Sequence, residues 1–259
     1  MKNITVILPI HKWDDEYKMM FANAVESVEE FYNDVKLIIV TNESISSQLN
    51  LQTGKLEYSI VKNEGSMDFC SQVNLGIENC DTEWFSILEV DDEYTQNWLS
   101  GMNSYMKENT DVEVFLTLVK DINVDGKFLS FTNESTWAYG FTDKQGFLSN
   151  EALLEYQNFQ ISGGLYKTEK IKELGKFKEN IKLTFGYEFL LRLTHNNVNV
   201  MTIPKVGYKH VNFREDSLFW SFKNDENTKL SENEVKFWLD TAKKEFFFKN
   251  KRDITYVEN

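Results

Sequence analysis

Residues 89–93 read Glu-Val-Asp-Asp-Glu and place four carboxyl groups directly after the apolar run at residues 84–88. That run has the length and composition of a buried strand. In an open parallel sheet, ligands bind at the carboxyl ends of strands, and closely spaced carboxylates there suit a hard cation such as Mg²⁺ or Mn²⁺. A cation at this point would neutralise a diphosphate and stabilise it as a leaving group. The same residues also fit a solvated acidic turn, so both interpretations stand on this segment alone.

The composition of the chain limits the classes of molecule that it is expected to bind. The 259 residues include 41 Asp and Glu against 28 Lys and Arg, a formal net charge of −13. Nucleic-acid binding rests on basic residues, so the balance disfavours that partner. A phosphorylated substrate would need a bridging cation.

Cysteine usage and hydropathy predict a cytoplasmic protein. Cys70 and Cys80 fall on one predicted helix, roughly 15 Å apart along its axis, which is beyond disulfide reach. Two reduced thiols are typical of a cytosolic chain. No apolar run approaches the length of a signal segment or of a membrane-spanning helix.

The surrounding elements predict an α/β fold. Buried strands alternate with amphipathic helices through the first hundred residues, which indicates a parallel, doubly wound sheet. The predicted strands are residues 4–9, 35–40, 56–61, 84–88, 112–119, 127–131 and 198–203, the last ending at Pro204. The predicted helices are residues 17–32, 68–79, 167–174, 187–195 and 231–250. An aromatic loop at residues 136–146 offers Trp137 and Tyr139 as a platform for a sugar ring, although plain packing explains Trp137 equally well.

Several segments, in order, carry a family resemblance. Residues 4–12 end a hydrophobic strand in Pro-Ile-His-Lys, residues 37–44 form a similar second strand, and residues 85–92 end in Glu-Val-Asp-Asp. Asn-Glu-Gly and Asn-Leu-Gly lie between them, and Ser-Gly-Gly-Leu-Tyr and Glu-Leu-Gly-Lys-Phe follow downstream. Over about residues 3–218, the sequence resembles the family 2 glycosyltransferases.

The resemblance implies a GT-A fold, in which a Rossmann-like, mostly parallel sheet is flanked by helices. It predicts a glycosyltransferase domain over residues 1–220, with a nucleotide-sugar-binding half at 1–100 and an acceptor-side half at 101–220. Residues 221–259 would form a C-terminal helical extension. The apolar face and lysines of that extension fit core packing, a dimer contact or a peripheral contact with the inner face of a membrane.

The resemblance also implies a donor site. The first strand and its loop would hold the nucleotide, and the end of the second strand would face the base edge. An Asn stands there in place of the family's usual Asp, which leaves the identity of the nucleotide open. The residues implied to bind the donor are Pro9, Ile10, His11, Asn42, Asn74, Glu89 and Val90.

Metal and catalytic roles follow from the same resemblance. Asp91 occupies the metal-binding position, His210 is placed as a further ligand or as a buried structural histidine, and Asp92 would support the metal or the donor sugar. The family's catalytic Glu-Asp pair is replaced by Phe-Gly, so Glu188 is the candidate base. A structural ion pair between Glu188 and Arg192, four residues apart, is the alternative.

The resulting prediction is a glycosyltransferase that uses Mn²⁺ or Mg²⁺. It would move a sugar from a nucleotide diphosphate, UDP above all, to a hydroxyl of a glycan, lipid-linked or protein acceptor, with inversion. An inactive domain serving as a binding or scaffold module is the alternative. A nucleotidyltransferase is disfavoured because no Gly-rich loop follows the first strand.

Overall fold

The computed structural model describes residues 2–49, 54–212, 214 and 217–257. Within those ranges a single sheet is flanked by helices. The strands are β1 Ile4–Pro9, β2 Val35–Thr41, β3 Tyr58–Lys62, β4 Trp84–Ile87, β5 Glu93–Tyr94, β6 Val114–Ile122, β7 Phe128–Thr132, β8 Leu165–Lys167 and β9 Val200–Val211. The helices are α1 Asp15–Glu29, α2 Glu43–Ser46, α3 Phe69–Glu78, α4 Trp98–Glu108, α5 Asn150–Glu155, α6 Thr168–Glu173, α7 Phe185–His195, α8 Leu218–Asn224 and α9 Glu232–Glu245.

Four parallel strands form the first half of the sheet, in the order β3-β2-β1-β4. Strand β1 is buried along its whole length because successive side chains enter apolar clusters on opposite faces, Ile7 on one face and Val6 and Leu8 on the other. Helix α3 covers the Ile7 face so closely that a Cβ added at Gly76 would lie 2.4 Å from Ile7 Cγ2. The predicted α/β fold with a mostly parallel sheet is confirmed.

The second half of the chain joins this sheet through a reversed strand. Strand β8 is antiparallel to both β4 and β6, and β6 is parallel to β9. Strands β1, β2, β3, β4, β6 and β9 therefore run in one direction and end at one edge of the sheet. Strand β5 follows the acidic segment and pairs antiparallel with β9. The end of β9 is thereby held beside residues 88–92.

Strand β9 is longer than the sequence pattern predicts. It continues past Pro204 to Val211, so the prediction that the strand ends at Pro204 is wrong. Ile203 and Val206 pair with consecutive residues of β6, which leaves two residues, Pro204 among them, outside the regular ladder. A proline is tolerated at such an irregularity because its missing N–H breaks no ladder hydrogen bond. The added length carries His210 to the edge where β4 ends.

Helices α4 and α9 also depart from the pattern, as do the short helices α2 and α5, which it does not predict. Helix α4 lies where the sequence pattern predicts none: it buries Trp98, Leu99 and Met102 on one face, but its Gly, Ser and Asn residues have low helix propensity. Helix α9 ends at Glu245, five residues before the predicted end at residue 250.

The C-terminal helix packs on the domain core. Trp238, Ala242 and Phe246 are buried in the same apolar cluster as Phe189 of α7. Core packing thus accounts for these three residues, whereas Phe247 is 56% exposed. Among the helices described, none combines the length and apolar composition that crossing a membrane requires.

Candidate active site

The acidic segment, residues 88–92, is held by apolar side chains buried in the core and by backbone hydrogen bonds at both ends. Leu88 and Val90 are buried in the apolar core, and the Leu88 N–H donates to Ile7 O at 3.0 Å. The Asp92 N–H closes a turn by donating to Glu89 O at 3.1 Å. Strand β5 then ties the segment to β9. The carboxylates are therefore held by backbone pairing on two sides.

Asp92 and His210 form the centre of the site. Asp92 is fully buried, and its Oδ1 accepts the Val211 N–H at 2.9 Å. His210 Nδ1 lies 2.9 Å from Asp92 Oδ2 and 3.2 Å from Oδ1. Burial disfavours the imidazolium, but the charge of Asp92 outweighs it and raises the pKa of His210 to about 10. The pair fixes the orientation of the imidazole ring, as carboxylates do for metal-ligating histidines.

Glu89 is held by partners from two other segments. Its Oε1 accepts from Ser162 Oγ at 2.7 Å, and its own N–H donates to Tyr208 Oη at 3.0 Å. Burial raises the pKa of Glu89 to about 7, and the charges of Asp92 and Asp91 act in the same direction. Sequence reasoning missed Ser162 and Tyr208 as supports, although Ser162 belongs to the Ser-Gly-Gly segment already noted.

Asp91 faces an arginine that sequence reasoning missed. Its Oδ2 lies 2.9 Å from Arg214 Nη1, and both side chains are largely buried. Burial and the charge of Asp92 raise the pKa of Asp91 to about 6, against the opposing charge of Arg214. The signal available in the sequence was an Arg four residues after His210, but only the long β9 brings it into range.

The donor set fits a hard divalent cation. Among the described residues, Glu89, Asp92 and His210 each offer one ligand atom, and these atoms lie within 4.8 Å of one another. Two carboxylate oxygens and one imidazole nitrogen suit Mn²⁺ or Mg²⁺ better than a soft metal. Asp91, the predicted metal ligand, lies beside this group and contacts Arg214 instead.

The predicted nucleotide loop lies at the same edge of the sheet. Pro9 and Ile10 are buried, and the Ile10 N–H donates to Val40 O at 2.9 Å. His11 is exposed, with its Nε2 3.3 Å from Tyr17 Oη. Asn42 directly follows strand β2 there, and its Oδ1 caps helix α2 by accepting the Ile45 N–H at 2.9 Å. The side-chain oxygen of Asn42 is therefore engaged in the helix cap.

Asn74 has a structural position instead of the predicted one. It is 6% exposed, its Nδ2 donates to Phe177 O at 2.8 Å, and its Oδ1 accepts the Phe177 N–H at 2.9 Å. Nδ2 also lies 3.1 Å from Glu179 Oε1. Both ends of the amide are thus used to join α3 to the segment before α7, which corrects the prediction that Asn74 faces the nucleotide.

Glu188 is likewise committed to structure. It is fully buried, its Oε1 accepts from Arg192 Nε at 2.9 Å, and its Oε2 accepts from Arg192 Nη2 at 3.0 Å. Lys178 Nζ lies 3.0 Å from Oε1 as well. A carboxylate that is fully buried between two cationic partners is not open to an acceptor. The structural alternative for Glu188 is the one observed, and the prediction of a base is corrected.

Comparison with known proteins identifies the family. The model of glycosyl transferase family 2 matches residues 5–163, more than half of the chain. Staphylococcus aureus TarS 1-349, solved in complex with UDP-GlcNAc, superposes with a TM-score of 0.65 at 14% identity, over 96% of this chain and 72% of that one. The mannosyltransferase PcManGT from Pyrobaculum calidifontis, solved with GDP-Man and Mn²⁺, gives 0.60 at 11% identity, over 94% and 69%.

At these identities the structural likeness shows the fold, and the family match shows the class of enzyme. No curated protein sequence gives a significant match. The chain has the GT-A fold, belongs to glycosyl transferase family 2 and is a glycosyltransferase.

Proposed function

We propose that the enzyme transfers a sugar from a nucleoside diphosphate, with UDP as the first candidate, to an acceptor hydroxyl with inversion and with a divalent cation. The observation that carries this proposal is the partly buried group of Glu89, Asp92 and His210, with Asp91 beside it, at the edge where β1, β2 and β4 end. A diphosphate brought to this edge would add negative charge beside three carboxyl groups, and a cation bound with it would offset that charge.

The residues proposed to hold the cation are His210 and Asp91, with Glu89 and Asp92 in support. When bound, the cation would neutralise the departing diphosphate. Asp92 keeps the imidazole of His210 in place, and Ser162 and Tyr208 keep Glu89 in place. The cation would compete with Arg214 for Asp91 Oδ2.

UDP is favoured as the donor nucleotide by the fold relatives. TarS was solved with UDP and with UDP-GlcNAc, while PcManGT was solved with GDP-Man. Asn42 offers its amide nitrogen where the family usually has an Asp. The binding test therefore compares nucleoside diphosphates with different bases.

The acceptor side is proposed to lie at the aromatic loop. Trp137 Nε1 donates to Thr202 O at 3.0 Å, and its ring packs on Gly146, so Trp137 supports the loop. Tyr139 is fully exposed and is the better platform for a sugar ring of a glycan, lipid-linked or protein acceptor.

Calorimetric titration of UDP, with and without Mn²⁺, tests the proposal. Wild-type protein is expected to bind UDP in a Mn²⁺-dependent manner, and Asp91→Ala is expected to weaken that binding by about 10–100-fold or more, since a proposed ligand is lost. GDP, CDP and dTDP follow in the same format.

Asp81→Ala is the matched control. It removes the same charge from an exposed position before β4, at the opposite edge of the sheet, and is expected to leave binding unchanged. Failure of every nucleotide to bind with Mn²⁺ would overturn the proposal. Binding that is equal in Asp91→Ala and wild type would remove the metal site from it.

A further inference from the structure

Arg214 occupies the space between the acidic segment and helix α1. Its Nη1 lies 2.9 Å from Asp91 Oδ2 and 2.8 Å from Met20 Sδ, and its guanidinium lies 5.4 Å from the centre of the Tyr17 ring. The residue is only 5% exposed. Tyr17 in turn lies against His11 of the nucleotide loop. One permanently charged side chain thus spans the region between the two parts of the proposed donor site.

The contact with Asp91 has a chemical consequence. An arginine keeps its charge at every accessible pH, and a buried guanidinium needs an anionic partner. Asp91 supplies that charge here, at a distance typical of a charge-assisted hydrogen bond. A divalent cation that uses Asp91 Oδ2 would compete with Arg214 for that oxygen, because two positive groups at contact distance repel each other.

We propose that Arg214 gates the metal site: it holds Asp91 while the site is empty and moves to the diphosphate when the cation and the nucleotide enter together. This inference rests on the proposed function. The guanidinium fork matches phosphate oxygens in two hydrogen bonds, so a diphosphate offers Arg214 a partner as good as the carboxylate it leaves. The cation alone offers it none.

The gate makes binding of the two ligands interdependent. Cation alone competes with Arg214 for Asp91, and nucleotide alone adds negative charge beside the carboxyl groups of the cluster. Each ligand therefore raises the affinity for the other by the same factor, as thermodynamic linkage requires. Coupling of this kind is typically about 5–150-fold.

Titration of Mn²⁺ alone is the decisive measurement, because here the loss of a side chain is predicted to increase the affinity for Mn²⁺. Arg214→Met should bind Mn²⁺ alone about 5-fold or more tightly than wild type, since Asp91 is released. The same variant should bind UDP in saturating Mn²⁺ about 10-fold or more weakly, since a phosphate partner is lost. An arginine with a purely structural role would not raise the affinity for metal when removed.

Two further variants separate this contact from net charge and from folding. Lys209→Met likewise removes one positive charge, here from strand β9. The ammonium of Lys209 pairs with Glu93 at 2.5 Å, so both affinities should change less than about 2-fold in physiological salt. Arg214→Lys should keep the Mn²⁺ affinity of wild type and still bind UDP more weakly. Thermal melts of each variant establish that it is folded.

The proposal is overturned if Arg214→Met binds Mn²⁺ no more tightly than wild type, or if Lys209→Met shows the same gain. That result is distinguishable from failure of the proposed function. If only the gate is wrong, wild-type protein still binds UDP with Mn²⁺. If the proposed function is wrong, it does not.

Discussion

Three carboxylates and one imidazole lie close together at the end of β4, where Asp92 is buried and the others are partly buried, and each carboxylate has a different partner. Asp92 is bound to His210 and the backbone of β9, Asp91 to Arg214, and Glu89 to Ser162. The residue types and their position after a buried strand were predictable from the sequence. The pairing of each carboxylate with its partner was not predictable, because it depends on the register of β9, about a hundred residues downstream.

The pKa shifts in this cluster predict how stability varies with pH. Glu89, Asp91 and His210 all have raised pKa values, of about 7, 6 and 10. The folded protein therefore binds more protons than the unfolded chain between about pH 4 and pH 10, and the free energy of unfolding falls as pH rises through that window. The two carboxyl contributions decline up to about pH 7. The His210 contribution is fully present below pH 6.5 and is lost as pH rises towards 10.

Melting temperatures recorded in EDTA from pH 5.5 to pH 8.5 are expected to fall steadily. His210→Gln should flatten the upper part of this profile. It should also move the lower part to higher pH, because the charge of His210 lowers the pKa values of Glu89 and Asp91. Added Mn²⁺ should reverse the trend, because ligand deprotonation favours metal binding as pH rises. A melting temperature that is constant or rises in EDTA would contradict the assignment.

At the scale of single elements, continuous apolar runs predicted the central strands well. Strands β1, β2 and β4 lie within one residue of their predicted bounds, because burial on both faces leaves an unambiguous pattern. Strand β9 was cut short at Pro204, since a local pattern cannot show that a proline lies at a register shift. Helix α4 was missed because its buried residues Trp98, Leu99 and Met102 stand among Gly, Ser and Asn residues of low helix propensity.

Helices α7 and α9 are joined by a buried chain of charges, which predicts the effect of changing Glu188. Lys178 and Arg192 both pair with Glu188, and Lys178 Nζ donates to Glu245 O at 2.6 Å. Glu188→Gln would leave two buried cations short of one anion, a change that typically costs about 3–5 kcal/mol. Urea denaturation should show this loss, while UDP affinity in Mn²⁺ stays unchanged in the folded fraction.

Glu151→Gln is the control, since it changes the same group on the exposed side of the neighbouring helix α5 and should leave unfolding unaffected. A catalytic role for Glu188 would give the opposite result. Stability would be preserved, and hydrolysis of a UDP-sugar per folded molecule would fall by about 100-fold or more.

At the scale of the whole molecule, the two halves of the chain contribute opposite charges to one site. The carboxylates at residues 89–92 come from the first hundred residues, whereas His210 and Arg214 come from the end of the sheet. Length, composition and the order of elements were enough to predict the α/β class and the parallel first half. The division of the chain at residue 220 stays a prediction, since Trp238 of α9 packs into the same apolar cluster as α7.

The pairing of β9 with β6 and β5 gives the site a second consequence. The groups that would bind a cation come together only after this long-range register has formed, so an unfolded chain with the same residues offers no such group. A ligand that binds the native state alone stabilises it by mass action, about 2.7 kcal/mol at a concentration 100 times its Kd. A bound cation would then stabilise the packing of the last strand against the acidic segment, in addition to preparing the site for its donor.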